Sequence, residues 1–566
     1  MHYVALATDY DGTIAHDGVV DDATLEALGR LRHAAHRLIL VTGRELDDLL
    51  RVMPRLDVFN AVVAENGALL YWPETRTEQS LVEPPDPRFV ARLRELEVSP
   101  LSVGRSIVAT WQPNETKVLQ AISELGLELT ITFNKGAVMV LPAGVNKASG
   151  LRAALQEMGL SPLNCAAIGD AENDMAFLDS AGLSVAVANA IPALKERVAW
   201  VTDGIRGDGV RELIERMLAT DLAELDAGVE RQVVTLAKHG DRDVTIAPHR
   251  ETLLLTGMSG GGKTTLTQGL TERLSEGGFQ FCVVDPEGDY QELDHAVMVG
   301  SADSAPTPAQ VTELLEKPGT HVVANLVGMQ LQDRPAFLAM LLPELMSMRA
   351  RLGRPHVIIV DEAHHMLPAG WDPGAASLPE ELTGCLCVTT RPADVSPRLL
   401  HAVDRLLVVG GEPHDSLEAF CHARGLAMPD APEKLAVAEV LVLDTATQQL
   451  SHMQVIPGSG PRLRHRRKYA EGVLGEDKSF WFRGPEGKLR LQAHNLMLFL
   501  QMGDGVDTET WQWHRDRQDY SHWIEDSIKD QELAGEVAEI EAGDTPPEDA
   551  RRLVREAVER RYTLAG

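Results

Sequence analysis

The stretch Asp9-Tyr10-Asp11-Gly12-Thr13 decides how the first third of the chain is read. It follows Tyr3–Ala7, an apolar run whose pattern predicts a buried strand. Residues two apart at a strand end project to the same side, so Asp9 and Asp11 can face one reacting group. Gly12 permits the sharp exit turn. Two carboxylates this close repel unless a cation or a shared proton holds them. Outward from there, Leu38–Val41, Ala61–Ala64, Cys165–Ile168 and Val185–Val187 read as strands of a buried parallel sheet. Asp22–Arg37 sets Leu25, Leu28 and Leu31 on one face and is predicted as the first crossover helix. Pro84, Pro85 and Pro87 break the pattern, and a smaller α/β insert is expected from there to Pro142. It should hold a helix over Asn114–Leu125, capped by Gly126, and strands over Glu128–Phe133 and Ala137–Leu141.

Three further pieces share the chemistry of the aspartate pair. Val41-Thr42-Gly43-Arg44 offers a hydroxyl and a cation after a strand, Lys147 sits in Gly144-Val145-Asn146-Lys147, and Asp170 and Asp174 follow Ile168-Gly169. Carboxylate oxygens suit Mg²⁺, which also binds phosphate oxygens. Uncatalysed phosphomonoester hydrolysis is among the slowest reactions known, calling for rate factors up to ~10²¹. A carboxylate nucleophile splits it into two easier steps, with a cation on the phosphoryl oxygens and a second carboxyl for proton transfer.

Asp9-x-Asp11-Gly12-Thr13, Thr42, Lys147 and Gly169-Asp170-x-x-x-Asp174 together resemble the four ordered motifs of the haloacid dehalogenase (HAD) phosphatases. Glu65-Asn66-Gly67-Ala68 and Ala188-Asn189-Ala190 are similar to the branch that acts on sugar phosphates and carries its cap between the second and third motifs. The resemblance implies an α/β Rossmann-like domain over residues 1–215 with a cap at about 84–142. It makes Asp9 the nucleophile, Asp11 the general acid/base, and Thr42 and Lys147 the phosphate binders. Asp9, the Asp11 carbonyl and Asp170 would hold Mg²⁺, with Asp174 in support. Arg44, Glu65 and Asn66 either join the site or only shape its loops.

A second nucleus lies at Leu253–Thr256, an apolar run followed by Gly257-Met258-Ser259-Gly260-Gly261-Gly262-Lys263-Thr264, which matches GxxxxGK[ST]. Glycines let backbone N–H groups curl around phosphate, the following helix (Thr265–Leu274) adds its N-terminal dipole, and Lys263 reaches the β/γ oxygens. Thr264 would reach Mg²⁺, and Gly257, Ser259, Gly260, Gly261, Gly262, Lys263, Thr264 and Thr265 form the expected nucleotide-binding set. Pro355-His356-Val357-Ile358-Ile359-Val360-Asp361-Glu362 supplies the partner strand, with Asp361 on Mg²⁺ and Glu362 polarising the attacking water. His364 and His365 read as a helix start rather than as metal ligands. Asp285-Pro286-Glu287-Gly288-Asp289-Tyr290, and Thr389-Thr390-Arg391-Pro392 after a later strand, resemble the HerA/FtsK class of ring ATPases. That resemblance implies a P-loop α/β domain over 251–456, ATP hydrolysis, and a homo-oligomeric ring, most simply a hexamer. It makes Arg391 a candidate sensor or trans-acting arginine. A threonine stands where that class often has glutamine.

The rest bounds the answer. At 566 residues the chain suits three or four domains, and 44% apolar with 5% aromatic residues is ordinary globular composition. Residues 216–250 read as a linker plus the opening strands of the second domain, 457–469 as a basic linker containing Arg462, Arg464, His465, Arg466, Arg467 and Lys468, and 470–566 as a mainly helical domain. Its aromatics, Trp481, Trp511, Trp513, Tyr520 and Trp523, read as core before base-stacking residues. With 84 Asp+Glu against 53 Lys+Arg the net charge is −31, so nucleic acid would need a locally basic channel. Five cysteines without CxxC spacing fit neither a disulfide framework nor a zinc ribbon. No leader and no membrane span are expected, and the location expected is cytoplasmic. The reading is a bifunctional hydrolase, with Mg²⁺ and ATP as cofactors and a phosphorylated small molecule as substrate. The alternatives are a polynucleotide kinase–phosphatase and a phosphatase governed by a non-hydrolysing nucleotide switch.

Overall fold

The computed structural model describes residues 1–562 except 135, 227, 259, 292, 294, 371–381, 459–478 and 529. Ser259 and the basic run Arg462–Lys468 therefore lie outside the described residues. The chain divides into two compact units, Met1–Gly458 and Ser459–Gly566.

The first unit carries two large sheets. One has the spatial order Trp200–Val201, Leu183–Ala186, Cys165–Gly169, Ala5–Asp9, Arg37–Val41, Ala61–Ala64, Leu69–Trp72, Thr77–Ser80, parallel through Ala61–Ala64 and antiparallel beyond. The central strands are wholly buried, as unbroken apolar runs between helix layers require. Two expectations shift here. The first strand is Ala5–Asp9, so Asp9 is its last residue and not a residue beyond it. The first helix stops at His33, four residues short, because Ala35 turns left-handed (φ +69°) and releases Arg37 to begin the next strand.

The insert folds as a four-stranded antiparallel sheet, Leu129–Asn134, Ala137–Pro142, Val108–Trp111, Leu101–Val103, backed by helices Pro87–Glu95 and Glu115–Leu125. Gly126 closes the second helix at φ +62°. Phe89, Leu93, Val118 and Val140 fill this small core.

The second sheet runs Arg242–Ile246, Val234–His239, Leu450–Val455, Glu439–Asp444, Arg405–Val409, Thr252–Thr256, Cys385–Thr389, Val357–Val360, Phe281–Asp285, His321–Asn325, Ala296–Val299. It is antiparallel as far as Arg405–Val409 and parallel thereafter. The helix after the glycine loop starts at Lys263, two residues earlier than the pattern suggested, and runs to Glu276.

The two sheets meet at the N-terminal ends of their strands. His2 and His249 stack with ring centroids 3.7 Å apart. His356, one residue before its strand, donates from Nε2 to Asn164 Oδ1 (3.0 Å) and accepts at Nδ1 from the Gln280 N–H (2.8 Å). Asn164 Nδ2 donates in turn to the carbonyls of His2 (2.9 Å) and Gly353 (3.2 Å). Buried Arg354 links the Gly159 carbonyl (2.6 Å) to Gln280 Oε1 (2.9 Å).

In the second unit the hairpin Phe480–Phe482/Leu491–Ala493 packs with helices Leu496–Gly505, Thr508–Arg515, Asp519–Trp523, Gln531–Ala542 and Pro547–Tyr562. Phe480, Phe499, Trp511, Tyr520 and Trp523 are its core, so these aromatics are spent on packing.

Candidate active sites

The functional groups that parallel strands carry stand at the C-terminal ends of those strands. Asp9 ends one strand, Thr42 follows the next, and Asp170 follows Cys165–Gly169. Lys147 opens the helix Lys147–Glu157, whose N-terminus is fixed by a capping box between Asn146 and Ser149. Its ammonium is fully buried and donates to Asp9 Oδ1 and Asp174 Oδ1, each at 2.6 Å. The other Asp174 oxygen accepts the N–H groups of Asp170 and Ala171, both at 2.9 Å, which locks the loop. Burial, then repulsion from Asp174, pushes the Asp9 carboxyl up to about 7 against the pull of Lys147. Burial works against the charge on Lys147, but Asp174 and Asp9 outweigh it and raise its pKa.

Ligand atoms of Asp9, Asp170 and Asp174 lie within 4.8 Å of one another. Three buried hard-oxygen donors around one point fit a divalent cation such as Mg²⁺. Thr42 is buried, and its hydroxyl accepts the Arg44 N–H (3.1 Å). Arg44 grips both oxygens of Asp11 (2.6 and 2.7 Å) and one of Asp48 (2.5 Å). Arg44 thus touches the expected acid/base directly.

Glu65 joins the core sheet to the cap. It is buried at φ +51°, and its carboxylate accepts the N–H groups of Arg105 (3.0 Å), Ser106 (2.7 Å) and Ile107 (3.2 Å) from a cap hairpin. The next glycine is compulsory: a Cβ on Gly67 would lie 1.9 Å from the Asn146 carbonyl oxygen. Met139, a cap residue unmarked in the sequence, lies over Gly43, where an added Cβ would meet its sulfur at 3.5 Å. With Ile107, Leu141 and Ala68 it forms an apolar cluster. Asn173 Nδ2 lies near the same point, 4.0 Å from a Cβ added on Gly43, and both it and Asn66 Oδ1 are buried with no hydrogen-bond partner among the described residues.

In the second sheet, Gly257, Gly260 and Gly262 take φ values of +147°, +79° and +97°. At Gly257 an added Cβ would lie 2.0 Å from the Val409 carbonyl oxygen, so this loop demands glycine. Lys263 Nζ donates to the carbonyls of Gly257 (2.9 Å) and Met258 (3.0 Å), folded back on the loop. Thr264 and Thr265 lie in the first turn of the helix. Asp361 is buried, and its pKa is driven up by burial and by neighbouring Glu362. Glu362 adopts φ +44° before the short helix Ala363–Met366, so the histidines do open a helix. They join no group of three possible metal ligands among the described residues. Instead His364 Nδ1 lies 3.0 Å from Thr389 Oγ1 and 3.3 Å from Glu362 Oε2, tying the threonine to the expected catalytic glutamate. Asp285 gathers four N–H groups: Oδ1 accepts Glu287, Gly288 and Asp289, and Oδ2 accepts Tyr290.

Arg391 is 68% exposed and leans toward Asp394 at 3.8 Å. Arg334 was invisible in the sequence. It opens the helix Arg334–Leu352, whose preceding loop is pinned to the Asp285 loop by Leu326 N–H on the Asp285 carbonyl (2.8 Å). Its Nε is buried without a hydrogen-bond partner among the described residues. Glu287 and Glu362 act electrostatically on both Arg334 and Lys263, so the two cations converge on one acidic site.

A lysine clamped between aspartates beneath a cap, and a glycine loop beside a buried Asp-Glu strand end, define a phosphatase-like hydrolase joined to a P-loop ATPase-type domain. Residues 6–86 and 107–214 match the family model of the haloacid dehalogenase-like hydrolases, and residues 247–385 match that of an AAA domain. Through its first domain the chain belongs to the haloacid dehalogenase-like hydrolases. The phosphoglycolate phosphatase of Methanothermobacter thermautotrophicus is 31% identical over 223 residues, 38% of this chain and 98% of that protein. That of Methanosarcina acetivorans is 30% identical over 220 residues, 38% of this chain and 96% of that protein. A solved haloacid dehalogenase-like hydrolase from Bacteroides thetaiotaomicron aligns with 38% of this chain and 99% of its own at 20% identity and a TM-score of 0.34. No helix among the described residues is long and apolar enough to cross a membrane.

Proposed function

We propose that the first domain hydrolyses a small phosphomonoester through an aspartyl-phosphate on Asp9, and that the second hydrolyses ATP. The observation that carries the first half is the Lys147 clamp, 2.6 Å from both Asp9 and Asp174. Asp9 attacks phosphorus, the bond to the leaving oxygen breaks, and Asp11 delivers the proton that oxygen needs. Asp11 then takes a proton from water, which displaces Asp9 and releases phosphate. To do so Asp11 must exchange one oxygen from Arg44 to substrate. Mg²⁺ held by Asp9, Asp170 and Asp174, with the Asp11 carbonyl, would neutralise phosphoryl charge. Thr42 and Lys147 bind the phosphate.

The relatives named phosphoglycolate phosphatases and the low apolar ceiling of Met139 favour a two- or three-carbon substrate, with sugar phosphates as the second class to test. Release of phosphate from 2-phosphoglycolate and from hexose phosphates by the wild type and Asp9→Asn decides this. Turnover by Asp9→Asn would end the aspartyl-phosphate reading.

For the second domain, Lys263 binds the β/γ-phosphates, Asp361 and Thr264 face Mg²⁺, and Glu362 polarises water. Lys263→Ala should lose nucleotide binding, and Glu362→Gln should bind ATP without hydrolysing it. A HerA/FtsK-like homo-oligomeric ring, a hexamer in its simplest form, is the assembly we infer, with nucleic acid as a candidate cargo in a basic channel. Light scattering with a non-hydrolysed ATP analogue tests it. A monomer there favours the nucleotide switch, and phosphate transfer to a hydroxyl-ended oligonucleotide favours the polynucleotide kinase–phosphatase.

A further inference from the structure

Thr389 stands where the class this domain resembles often has glutamine, and it is fully buried as the last residue of its strand. Two groups converge on its hydroxyl, the Arg391 N–H and His364 Nδ1, each at 3.0 Å. The histidine reaches onward. The same Nδ1 lies 3.3 Å from Glu362 Oε2.

One proton arrangement suits all of these contacts. Burial, with the charges of His365 and Arg391, brings the pKa of His364 down to about 4 against the pull of Asp394 and Glu287. Near neutral pH the ring therefore carries a single N–H. A carboxylate only accepts, so a bare Nδ1 would face Glu362 lone pair to lone pair. The proton sits on Nδ1, where the Thr389 hydroxyl and the Glu362 carboxylate share it. The Arg391 N–H occupies a lone pair of that hydroxyl and so fixes its orientation.

Glu362 stands where such a hold matters. Its backbone is left-handed (φ +44°), its own N–H is taken by Asp361 Oδ1 at 2.9 Å, and its side chain is 18% exposed. After burial it is the strongest influence on Lys263. A carboxylate beside an ammonium is drawn toward it, and a base that swings onto the lysine no longer meets water.

We infer that His364 is a positioning residue of the second site: its Nδ1–H, anchored on Thr389, holds the Glu362 carboxylate toward the attacking water. Threonine and histidine together then supply the reach that a glutamine at the strand end would have by itself. This rests on the reading of that domain as an ATPase.

The test is steady-state ATP hydrolysis by the full chain, with affinity for a non-hydrolysed ATP analogue measured alongside by calorimetry. His364→Ala should lower kcat by about ten- to a hundredfold while analogue affinity stays within about twofold. Asparagine puts its amide nitrogen where Nδ1 stands, whereas glutamine puts it nearer Nε2. His364→Asn should therefore recover most of kcat and His364→Gln should not. Thr389→Val should lower kcat more than Thr389→Ser, and should cost nothing further when added to His364→Ala. Phosphomonoester hydrolysis by the first domain serves as the check of folding in every variant. If the wild type hydrolyses ATP and Glu362→Gln does not, the ATPase reading stands. Unchanged kcat in His364→Ala, an equal loss of analogue affinity, or equal rates in His364→Asn and His364→Gln would then overturn the proposal alone. Absence of ATP hydrolysis in the wild type overturns the reading and the proposal with it.

Discussion

Replacing Glu65 with alanine should open the cap. The carboxylate is buried and satisfies three N–H groups of the hairpin 105–107, of which Ser106 and Ile107 are themselves buried. Each hydrogen bond to a charged acceptor contributes about 1.5–3 kcal/mol, and each orphaned buried donor costs about 1–3 kcal/mol. Against this stands the desolvation of Glu65, which raises its own pKa and is recovered when the side chain is removed. Opening the cap also lets water reach the freed donors. A net loss of about 2–3 kcal/mol of cap closure follows, roughly 30- to 150-fold in the closed population. Only a closed cap excludes water and sets Met139 over the phosphate site, so kcat/KM should fall by a comparable factor. Glu65→Gln keeps one acceptor oxygen and should fall between the two. The assays are steady-state hydrolysis of the best phosphomonoester and limited proteolysis of the cap at Pro84–Pro87, where Glu65→Ala should be cut faster. Unchanged kinetics with an unchanged digestion rate would refute the clamp.

Three other outcomes follow from the geometry. Arg334→Ala should retain ATP binding but lower kcat by roughly 10²-fold or more, as expected for a cation facing the γ-phosphate in the transition state; Arg391→Ala, by contrast, should lower it only in the assembled state. Equal effects of the two in dilute monomer would contradict this. Omitting divalent cation, or Asp170→Asn, should abolish phosphate release from the phosphomonoester, while Asp170→Asn leaves ATP hydrolysis intact; full activity with chelator would remove the cation from the scheme. The junction histidines give an acid-sensitive stability. Burial lowers the pKa of His2, His249 and His356, amid Tyr3, Asp221, Asp226, Arg250, Arg349 and Arg354. The unfolded chain therefore binds protons first, so stability is complete above about 6.5 and is lost as pH falls below it, by about 1.4 kcal/mol per pH unit for each histidine still neutral in the fold. Melting temperature between pH 7.5 and 5 should drop less steeply in His356→Gln; parallel curves would count against the junction.

Local pattern made the strands and their terminal motifs legible, because a parallel α/β sheet places loops in a fixed order at one edge. Asp9, Lys147, Asp170 and Asp174 converge for that reason, though they span more than half of the first domain. What escaped depends on packing between segments. Glu65 gives no hint of which cap hairpin it will hold, and Met139 is one apolar residue among many until the cap is set on the core. Arg334 stands in no motif and matters only because the strand before its helix, His321–Asn325, lies beside Phe281–Asp285. The junction joins residues as distant in the chain as His2 and His249, beyond any periodicity. Helix ends slipped where one backbone conformation decided them, as at Ala35.

The meeting of the two sheets at their strand starts has a plain spatial meaning. Both reaction centres sit at strand ends, so they look away from each other at opposite poles of one body. A product leaving either site therefore starts out on the side of this unit remote from the other. Communication between them, if the chain uses it, has to be carried as a push along the strands and through the histidine-lined seam: a lever rather than a conduit.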